Sequence, residues 1–410
     1  MGSHLAPVWF SVTDLQVVSG RGCWVTTVEG EQYLDFSSGI AVTSTGHSHP
    51  HVVQAIADQA ARFIHAQINV YRHDLLEPLA ARLAALAPGD IDTFFYANSG
   101  AEITEAAVKL AKQATKRPNV IVFSGSFHGR THLAMAMTTS KTGYRAGHSP
   151  LPAGIYVAPF PDPMVLDADA EDDRALAGLR HLLKSMTAPE ETAAIILEPV
   201  LGEGGYIQAS TRFLQGLSAI CKEHGILFIA DEVQSGCGRT GLMFAIEHSG
   251  VVPDIICTAK GIASGFPFSV LGASAELMAK WPAGSHGGTY GGNAMGCAAA
   301  MATLDILTAE GFMENVQARG EQLRVGLRAL SAKHPAIVQV RGPGLMVATQ
   351  FEDPARVAAV IKHCLQHGKL ILMNAGTYGN VIRWMPPLVV TADEITHALS
   401  VFSDALDATA

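Results

Sequence analysis

The stretch that decides the fold is residues 226–241, ILFIADEVQSGCGRTG. An apolar run ends in Asp231 and Glu232, and the tail GCGRTG matches the G-x-G-x-x-G pattern of dinucleotide-binding loops. Such a loop has its first glycine at the strand end and starts a helix inside the motif. Here Asp-Glu-Val-Gln separates the strand from the glycines, and Arg-Thr-Gly-Leu is a poor helix start. We therefore predict that the strand presents a carboxylate and that the glycines form no nucleotide loop.

The composition is that of a globular protein with a substantial core. The 410 residues are 48% hydrophobic and 16% charged, which suffices for one large domain and a smaller one. A net charge of −9 without a basic cluster argues against nucleic acid and anionic membranes as partners. Apolar runs such as 193–197 are too short to span a bilayer, and the N-terminus lacks a secretory signal. Six widely spaced cysteines indicate reduced thiols in a cytoplasmic protein.

The order of patterns along the chain predicts an α/β architecture. Residues 8–36 alternate apolar and polar positions, which is typical of a small β meander, and a helical period begins at Pro50. Seven short apolar runs then alternate with helical stretches: TFFYA (93–97), NVIVFS (119–124), IYVAPF (155–160), TAAIILEPV (192–200), ILFIADEV (226–233), DIICTA (254–259) and SVLGAS (269–274). This alternation predicts a mostly parallel central sheet flanked by helices. We divide the chain into an N-terminal segment of a small α+β domain (1–49), a large domain (50–308) and the rest of the small domain (309–410).

The carboxyl ends of these predicted strands carry the polar groups, and in open α/β sheets sites form at those ends. TFFYA is followed by NSGAE and a helix, whose N-terminal amides suit a phosphate. The other strands lead into SFHGRT, into Glu198 and LGEGG, into Asp231, and into Lys260. An anion site, an aromatic ring, carboxylates and a lysine are thus expected at one sheet edge.

Pyridoxal phosphate needs this combination of groups. Its phosphate suits a helix N-terminus, and its aldehyde forms a Schiff base with a lysine. Its pyridinium nitrogen needs a carboxylate, and its flat ring needs apolar faces. Binding of a nicotinamide cofactor requires neither a lysine at a strand end nor an acid directed at its ring. A nicotinamide-dependent dehydrogenase is therefore the remote alternative.

The chain resembles class III (ornithine/4-aminobutyrate-type) aminotransferases, which are pyridoxal phosphate enzymes of fold type I. The stretches that carry the resemblance span nearly the whole chain in order: SGIAVTSTGHSHP, NSGAEITEAAVKLAK, FSGSFHGRT, EPVLGEGGY, IADEVQSGCGRTG, CTAKG, GGTYGGN and YGNVIRWMPPL. Within them SGIAV, FHGRT and YGNVIR are most similar to bacterial 4-aminobutyrate aminotransferases.

The resemblance implies a role for each residue around the cofactor. Lys260 binds the cofactor covalently and acts as general base and acid, and Asp231 pairs with the ring nitrogen. Other expected cofactor contacts are the phosphate ligands Ser99, Gly100 and Ala101, the ring faces Val233 and Phe127, Gln234 near the phenolic oxygen, and His128 and Glu198 near the ring. Thr289 is expected to reach the phosphate of a neighbouring subunit, which implies a homodimer with a shared site, or a tetramer.

The resemblance also implies how substrates are recognised. Arg383 binds the α-carboxylate of glutamate or 2-oxoglutarate, and Glu203 masks Arg383 when the donor has none. Arg130 takes the distal carboxylate, and Ile40 lines the pocket. The implied reaction moves an amino group from 4-aminobutyrate or a similar ω-amino acid to 2-oxoglutarate, giving a semialdehyde and glutamate.

Several alternatives stay open at this stage. QINVYRH (67–73) and Tyr96-Ala97-Asn98 depart from the 4-aminobutyrate enzymes. N-acetylornithine, ornithine or a diamine as donor, an aminomutase, or a non-catalytic pyridoxal phosphate protein would fit the same core. His47, His49 and His51 would share one face of a strand, but Gly46 and Pro50 break any strand there and no acid or cysteine is nearby in the sequence, so we expect no metal site.

Overall fold

The structure, a computed structural model, describes residues 4–162, 164 and 167–410. The strands are β1 (Val17–Arg21), β2 (Trp24–Thr27), β3 (Gln32–Asp35), β4 (Thr93–Ala97), β5 (Asn119–Phe123), β6 (Ile155–Ala158), β7 (Thr192–Leu197), β8 (Val200–Leu201), β9 (Ile207–Gln208), β10 (Leu227–Asp231), β11 (Ile255–Thr258), β12 (Ser269–Ala273), β13 (Ile337–Arg341), β14 (Val347–Phe351), β15 (Leu370–Ile371), β16 (Met373–Ala375) and β17 (Val381–Trp384). The helices are α1 (Ser38–Ala41), α2 (Pro50–Arg62), α3 (Leu76–Ala84), α4 (Gly100–Thr115), α5 (His132–Met137), α6 (Ala168–Ser185), α7 (Thr211–His224), α8 (Ala275–Met278), α9 (Ala294–Leu307), α10 (Phe312–Ser331), α11 (Pro354–Gly368) and α12 (Ala392–Ala408).

A seven-stranded sheet forms the centre of the molecule, with the order β4-β12-β11-β10-β7-β5-β6. Strand β12 is antiparallel to β11 and β4, and the other pairs are parallel. Every residue of β5, β7 and β11 is buried, because helices cover both faces. The predicted mostly parallel sheet is confirmed.

The predicted strand 192–200 is shorter in the structure. Strand β7 ends at Leu197, and the chain then passes through Glu198 and Pro199 into β8, which pairs with β9 outside the central sheet. Proline has no N–H to donate to a ladder, so Pro199 marks the break. The turn places the Glu198 side chain at the carboxyl end of the sheet instead of within it.

Two smaller sheets join the ends of the chain. Strand β15 runs parallel to β3 and completes the order β1-β2-β3-β15, while β13, β14, β17 and β16 form a four-stranded sheet. Segments before α2 and after α9 thus share one sheet, as expected for an α+β part built from both termini. The boundaries at residues 49/50 and 308/309 stay a prediction.

Two further observations concern the cysteines and the length of the apolar helices. All six cysteines are free and buried. Within the described part of the chain, no helix combines the length and apolarity needed to cross a membrane.

Candidate active site

Most of the predicted site residues surround one cavity of about 390 Å³ at the carboxyl ends of the central strands. Those lining it are Ser99, Gly100, Ala101, Phe127, His128, Arg130, Glu198, Asp231, Val233, Gln234 and Lys260. The size lies within the range of small-molecule and cofactor sites. The fold therefore brings together side chains from Ser99 to Lys260 that were predicted to lie at the strand ends.

Asp231 ends β10 and is held in place from two sides. Its Oδ2 lies 2.6 Å from Nδ1 of His128, and its Oδ1 accepts the Val233 N–H at 3.0 Å. Burial alone would lower the pKa of His128, but the hydrogen bond and charge of Asp231 outweigh it and raise that pKa. The pair is only 0% and 2% exposed, so the carboxyl group of Asp231 is held in one position in the lining of the cavity.

Lys260 lies just beyond β11 in a backbone conformation that a lysine seldom adopts. Its φ is +46°, in the left-handed region, where a non-glycine residue is strained and often functional. Burial, opposed by the attraction of Glu203, lowers the pKa of the Lys260 ammonium from 10.5 to about 8. A substantial neutral fraction near neutral pH makes this amine a usable nucleophile and base.

The N-terminus of α4 forms the predicted phosphate end. Strand β4 ends at Ala97, and Ser99 caps the helix by accepting the Glu102 N–H on its hydroxyl at 3.3 Å. A Cβ atom on Gly100 would lie 2.8 Å from Cγ1 of Val233, so only glycine fits between the helix start and that side chain. Ser99, Gly100 and Ala101 line the cavity here, and such small residues at a helix N-terminus let backbone N–H groups approach a phosphate.

An aromatic and an aliphatic side chain line the cavity, and Glu198 holds the segment that carries the aromatic one. Phe127 and Val233 both line it, and the Phe127 N–H donates to Glu198 Oε1 at 2.7 Å. The Gly202 N–H donates to Glu198 Oε2 at 2.9 Å, while burial raises the pKa of this carboxyl to about 7. Glu198 thus positions the segment that carries Phe127.

The residues fit pyridoxal phosphate. Buried polar atoms without a partner among the described residues include His128 Nε2 and Gln234 Oε1, and both residues line the cavity, as for a polar ligand. A lysine amine, a buried carboxylate, an aromatic and an aliphatic side chain, and a helix N-terminus meet the chemical needs of its aldehyde, ring nitrogen, ring faces and phosphate.

A second group of charges lies beside the cavity, around Arg383 on β17. Arg383 is 2% exposed, and its Nη1 donates to Glu203 Oε1 at 2.5 Å. The Tyr144 hydroxyl donates to Glu203 Oε2 at 3.0 Å, and Lys141 Nζ lies 3.9 Å from the same oxygen. Burial would raise the pKa of Glu203, but Arg383 and Lys141 outweigh it and lower that pKa. The structure places the predicted pair in contact, while its switching stays a proposal.

Arg130 and Tyr144 connect this group to the cavity. The Arg130 guanidinium carbon lies 4.5 Å from the centre of the Tyr144 ring and 5.9 Å from that of Phe127. Tyr144 meets the Phe127 ring edge-to-face at 5.3 Å. Lys141 and Tyr144 were absent from the predicted set, because they lie in the irregular segment after α5, where no strand end or helical period marks them.

Ile40 and Thr289 lie outside the lining of this cavity. Ile40 has a left-handed backbone in α1 and is 40% exposed, and Val42 of the same turn lines the cavity. Thr289 is exposed in a glycine-rich turn. Their predicted contacts with substrate and with a neighbouring subunit's phosphate stay predictions.

Two of the three histidines near residue 50 pair with separate acids. His47 Nε2 lies 2.8 Å from Asp35 Oδ2, and His51 Nε2 lies 2.8 Å from Asp305 Oδ2. Asp35 is 12 positions from His47 and Asp305 is 254 positions from His51, and neither pair was predicted. In residues 4–162, 164 and 167–410 no group of three or more His, Cys, Asp or Glu is arranged to hold a metal ion.

The GCGRTG segment packs against the C-terminal part of the chain. Residues 236–241 form turns and no helix begins there, as predicted. The Arg239 guanidinium is buried and donates to the carbonyls of Leu345 at 3.1 Å and Pro386 at 2.6 Å. A Cβ on Gly344 would come within 2.4 Å of the Thr240 backbone, so this loop packs tightly on the C-terminal part of the chain.

The fold and this set of groups define a pyridoxal-phosphate-dependent enzyme. The family model described as "Aminotransferase class-III" matches residues 6–406, and the chain belongs to that family. The protein is therefore a pyridoxal-phosphate-dependent aminotransferase, which takes an amino group from an amino acid donor and passes it to a keto acid.

Curated relatives and solved structures agree with this assignment. The chain is 42% identical to the 4-aminobutyrate aminotransferase GabT of Escherichia coli, over 94% of this chain and 92% of the relative. It is 41% identical to the 5-aminovalerate aminotransferase DavT of Pseudomonas aeruginosa, over 93% and 91%. An amine transaminase from an uncultivated Pseudomonas species, solved in its pyridoxal-phosphate-bound form, superposes with a TM-score of 0.92 at 28% identity, covering 100% of this chain and 98% of that one.

Proposed function

We propose that the protein transfers the amino group of 4-aminobutyrate or a close ω-amino acid to 2-oxoglutarate, giving a semialdehyde and glutamate. The observation that carries this proposal is the buried Arg383–Glu203 pair, 2.5 Å between Nη1 and Oε1, beside a cavity that holds a second cation, Arg130. A donor with one carboxylate needs one cation, and 2-oxoglutarate with two carboxylates needs both. The names of the two curated relatives, which concern ω-amino acids, support the same choice.

The chain's own residues supply binding and proton transfer. Bound pyridoxal phosphate acts as an electron sink for charge that develops on the donor carbon. Lys260 Nζ holds the cofactor, and as a neutral amine it takes the carbon-bound proton of the donor and returns it. Asp231, fixed by His128 and by the Val233 N–H, keeps a negative charge at the ring nitrogen.

Substrate recognition follows from the two arginines. Arg130 lies in the cavity and pairs with the distal carboxylate of the ω-amino acid. Glu203 neutralises Arg383 while such a donor is bound. When 2-oxoglutarate enters, its second carboxylate replaces Glu203 on Arg383. Ile40 borders the donor chain.

We further propose a homodimer in which Thr289 reaches the phosphate bound by the other subunit. Thr289 and its neighbour Tyr290 are exposed, and the Tyr290 ring lies 5.3 Å from that of His65. Large exposed side chains at Ile64, Val70 and Tyr71 give the same region the apolar character of an interface. The six free, buried cysteines fit a cytoplasmic location.

A half-reaction without keto acid tests the donor. The absorbance of the cofactor-loaded protein is recorded before and after adding 4-aminobutyrate, 5-aminovalerate, N-acetylornithine or ornithine. The proposal predicts conversion to the pyridoxamine phosphate spectrum with the two ω-amino acids at the lowest concentrations. Conversion only with N-acetylornithine or ornithine would overturn the donor assignment and leave the aminotransferase chemistry in place.

A further inference from the structure

The two oxygens of Glu203 have different partners. Oε1 accepts from Arg383 at 2.5 Å, while Oε2 accepts from the Tyr144 hydroxyl at 3.0 Å and lies 3.9 Å from Lys141 Nζ. The partners are divided between the oxygens, so breaking the contact with Arg383 does not require breaking the others. The carboxylate can move off Arg383 towards a cation that is already beside it.

The charges around Glu203 change when a ligand carboxylate occupies Arg383. In the structure two cations, Arg383 and Lys141, surround one anion, so Lys141 is attracted by Glu203 and repelled by Arg383. A ligand carboxylate on Arg383 removes that repulsion and makes the set neutral. Without Lys141, the ligand carboxylate and Glu203 would share the single positive charge of Arg383, which leaves one negative charge in excess. The site is buried, since the Glu203 side chain is 11% exposed and that of Arg383 is 3% exposed. A buried charge without a counterion is costly.

We propose that Lys141 is a positioning residue that holds the displaced Glu203 and so makes Arg383 available to a dicarboxylate. Tyr144 keeps one Glu203 oxygen in place, but its hydroxyl is neutral and cannot balance the charge. The inference rests on the proposed function, because it explains how one site alternates between a donor with a single carboxylate and 2-oxoglutarate. It makes Lys141 a determinant of specificity for the second substrate.

A direct contact between Lys141 and the ligand is the competing explanation. Lys141 is 27% exposed and could attract a dianion without involving Glu203. The two explanations differ in what happens after the Glu203 charge is removed. A lysine that acts through Glu203 loses its influence in the Glu203→Gln background, whereas a direct ligand contact keeps it.

The test is a binding measurement on the cofactor-loaded enzyme. Isothermal titration calorimetry gives the Kd of 2-oxoglutarate, which has no amino group to donate, and of butanoate, whose single carboxylate leaves Arg383 with Glu203. Lys141→Met is expected to raise the Kd of 2-oxoglutarate about three- to fivefold, the effect of a partly exposed ion pair, and to leave that of butanoate within about twofold. Lys141→Arg should restore most of the affinity.

A matched control is Lys369→Met, which removes the lysine of an exposed ion pair with Glu31 at 2.9 Å, away from the cavity. It should change neither Kd. The inference is supported if Lys141→Met weakens 2-oxoglutarate binding in the wild-type background and has no effect with Glu203→Gln. Equal weakening in both backgrounds, or none in the wild type, overturns it. A wild-type enzyme that binds butanoate but not 2-oxoglutarate would instead overturn the proposed function.

Discussion

Replacing Glu203 with glutamine should shift the enzyme's preference towards dicarboxylates. The substitution keeps the shape of the side chain and removes its charge, so the amide still contacts Arg383 but holds it less strongly. A ligand whose α-carboxylate must displace residue 203 from Arg383 then breaks a weaker contact, so it binds with a lower Kd. A ligand with a single carboxylate on Arg130 leaves the pair intact, and its affinity should hardly change.

The magnitude follows from the geometry of the pair. A charge-assisted hydrogen bond exceeds a neutral one by about 1–1.5 kcal/mol. Arg383 and Glu203 are 3% and 11% exposed, so the attraction between their charges adds a similar amount in a region of reduced dielectric. A total of about 2–3 kcal/mol corresponds to roughly 30- to 150-fold in binding. The Kd of 2-oxoglutarate should fall by that factor.

Calorimetry compares the Kd of 2-oxoglutarate and of butanoate between the wild type and Glu203→Gln. Melting curves of each variant check that it is folded. Glu31→Gln is the matched control, since it removes the charge from an exposed pair, and it should leave both ligands unaffected. Weaker binding of 2-oxoglutarate to Glu203→Gln, or equal shifts for both ligands, would refute the masking of Arg383 by Glu203.

Three further predictions concern other parts of the chain. Arg130→Ala should reduce kcat/KM for 4-aminobutyrate at least about tenfold more than for an uncharged primary amine, because a charge-assisted contact is lost; equal losses in steady-state assays would remove the role of Arg130. The rate at which the cofactor-free protein captures pyridoxal phosphate should rise with pH and level off above about 8, since the pKa of Lys260 is lowered from 10.5 and the neutral amine is the reactive form. Stopped-flow absorbance measures this rate, and a continued tenfold rise per pH unit up to about 10 would contradict it. Glu232→Ala should lower the free energy of unfolding in urea by about 2–4 kcal/mol, because the Ser235 hydroxyl and the Ile246 N–H, at 2.5 and 2.7 Å, lose their buried acceptor. Glu232→Gln keeps an oxygen that can accept from the Ile246 N–H and an amide N–H that can donate to the Ser235 hydroxyl, so it should lose less.

The sequence predicted which strand-end side chains lie together in one cavity, for a physical reason. Parallel strands buried on both faces are continuous apolar runs, so the first polar side chain after each run lies at the sheet edge. Asp231 and Lys260 could be predicted in this way, and the structure places both in the cavity. The apolar run also predicted a strand that continues through Pro199. That prediction was wrong because an apolar run carries no information about the N–H that proline lacks.

The region around Arg383 was harder to predict. Lys141 and Tyr144 lie in an irregular segment, and their importance comes from packing against Glu203 and Arg130, which no periodicity encodes. The acid partners of His47 and His51 were missed for a similar reason, since Asp305 is 254 positions from His51. Side-chain contacts that only the tertiary fold creates are outside what local patterns can predict.

The fate of the donor nitrogen tests the central claim most directly. The cofactor-loaded enzyme is incubated with ¹⁵N-labelled 4-aminobutyrate and unlabelled 2-oxoglutarate, and the products are followed by mass spectrometry. The proposed function predicts ¹⁵N-glutamate and the semialdehyde in equal amounts. Without 2-oxoglutarate, each enzyme molecule should complete one half-reaction and form no further product. Label that stays on the donor skeleton, or glutamate that forms without ¹⁵N, would contradict it.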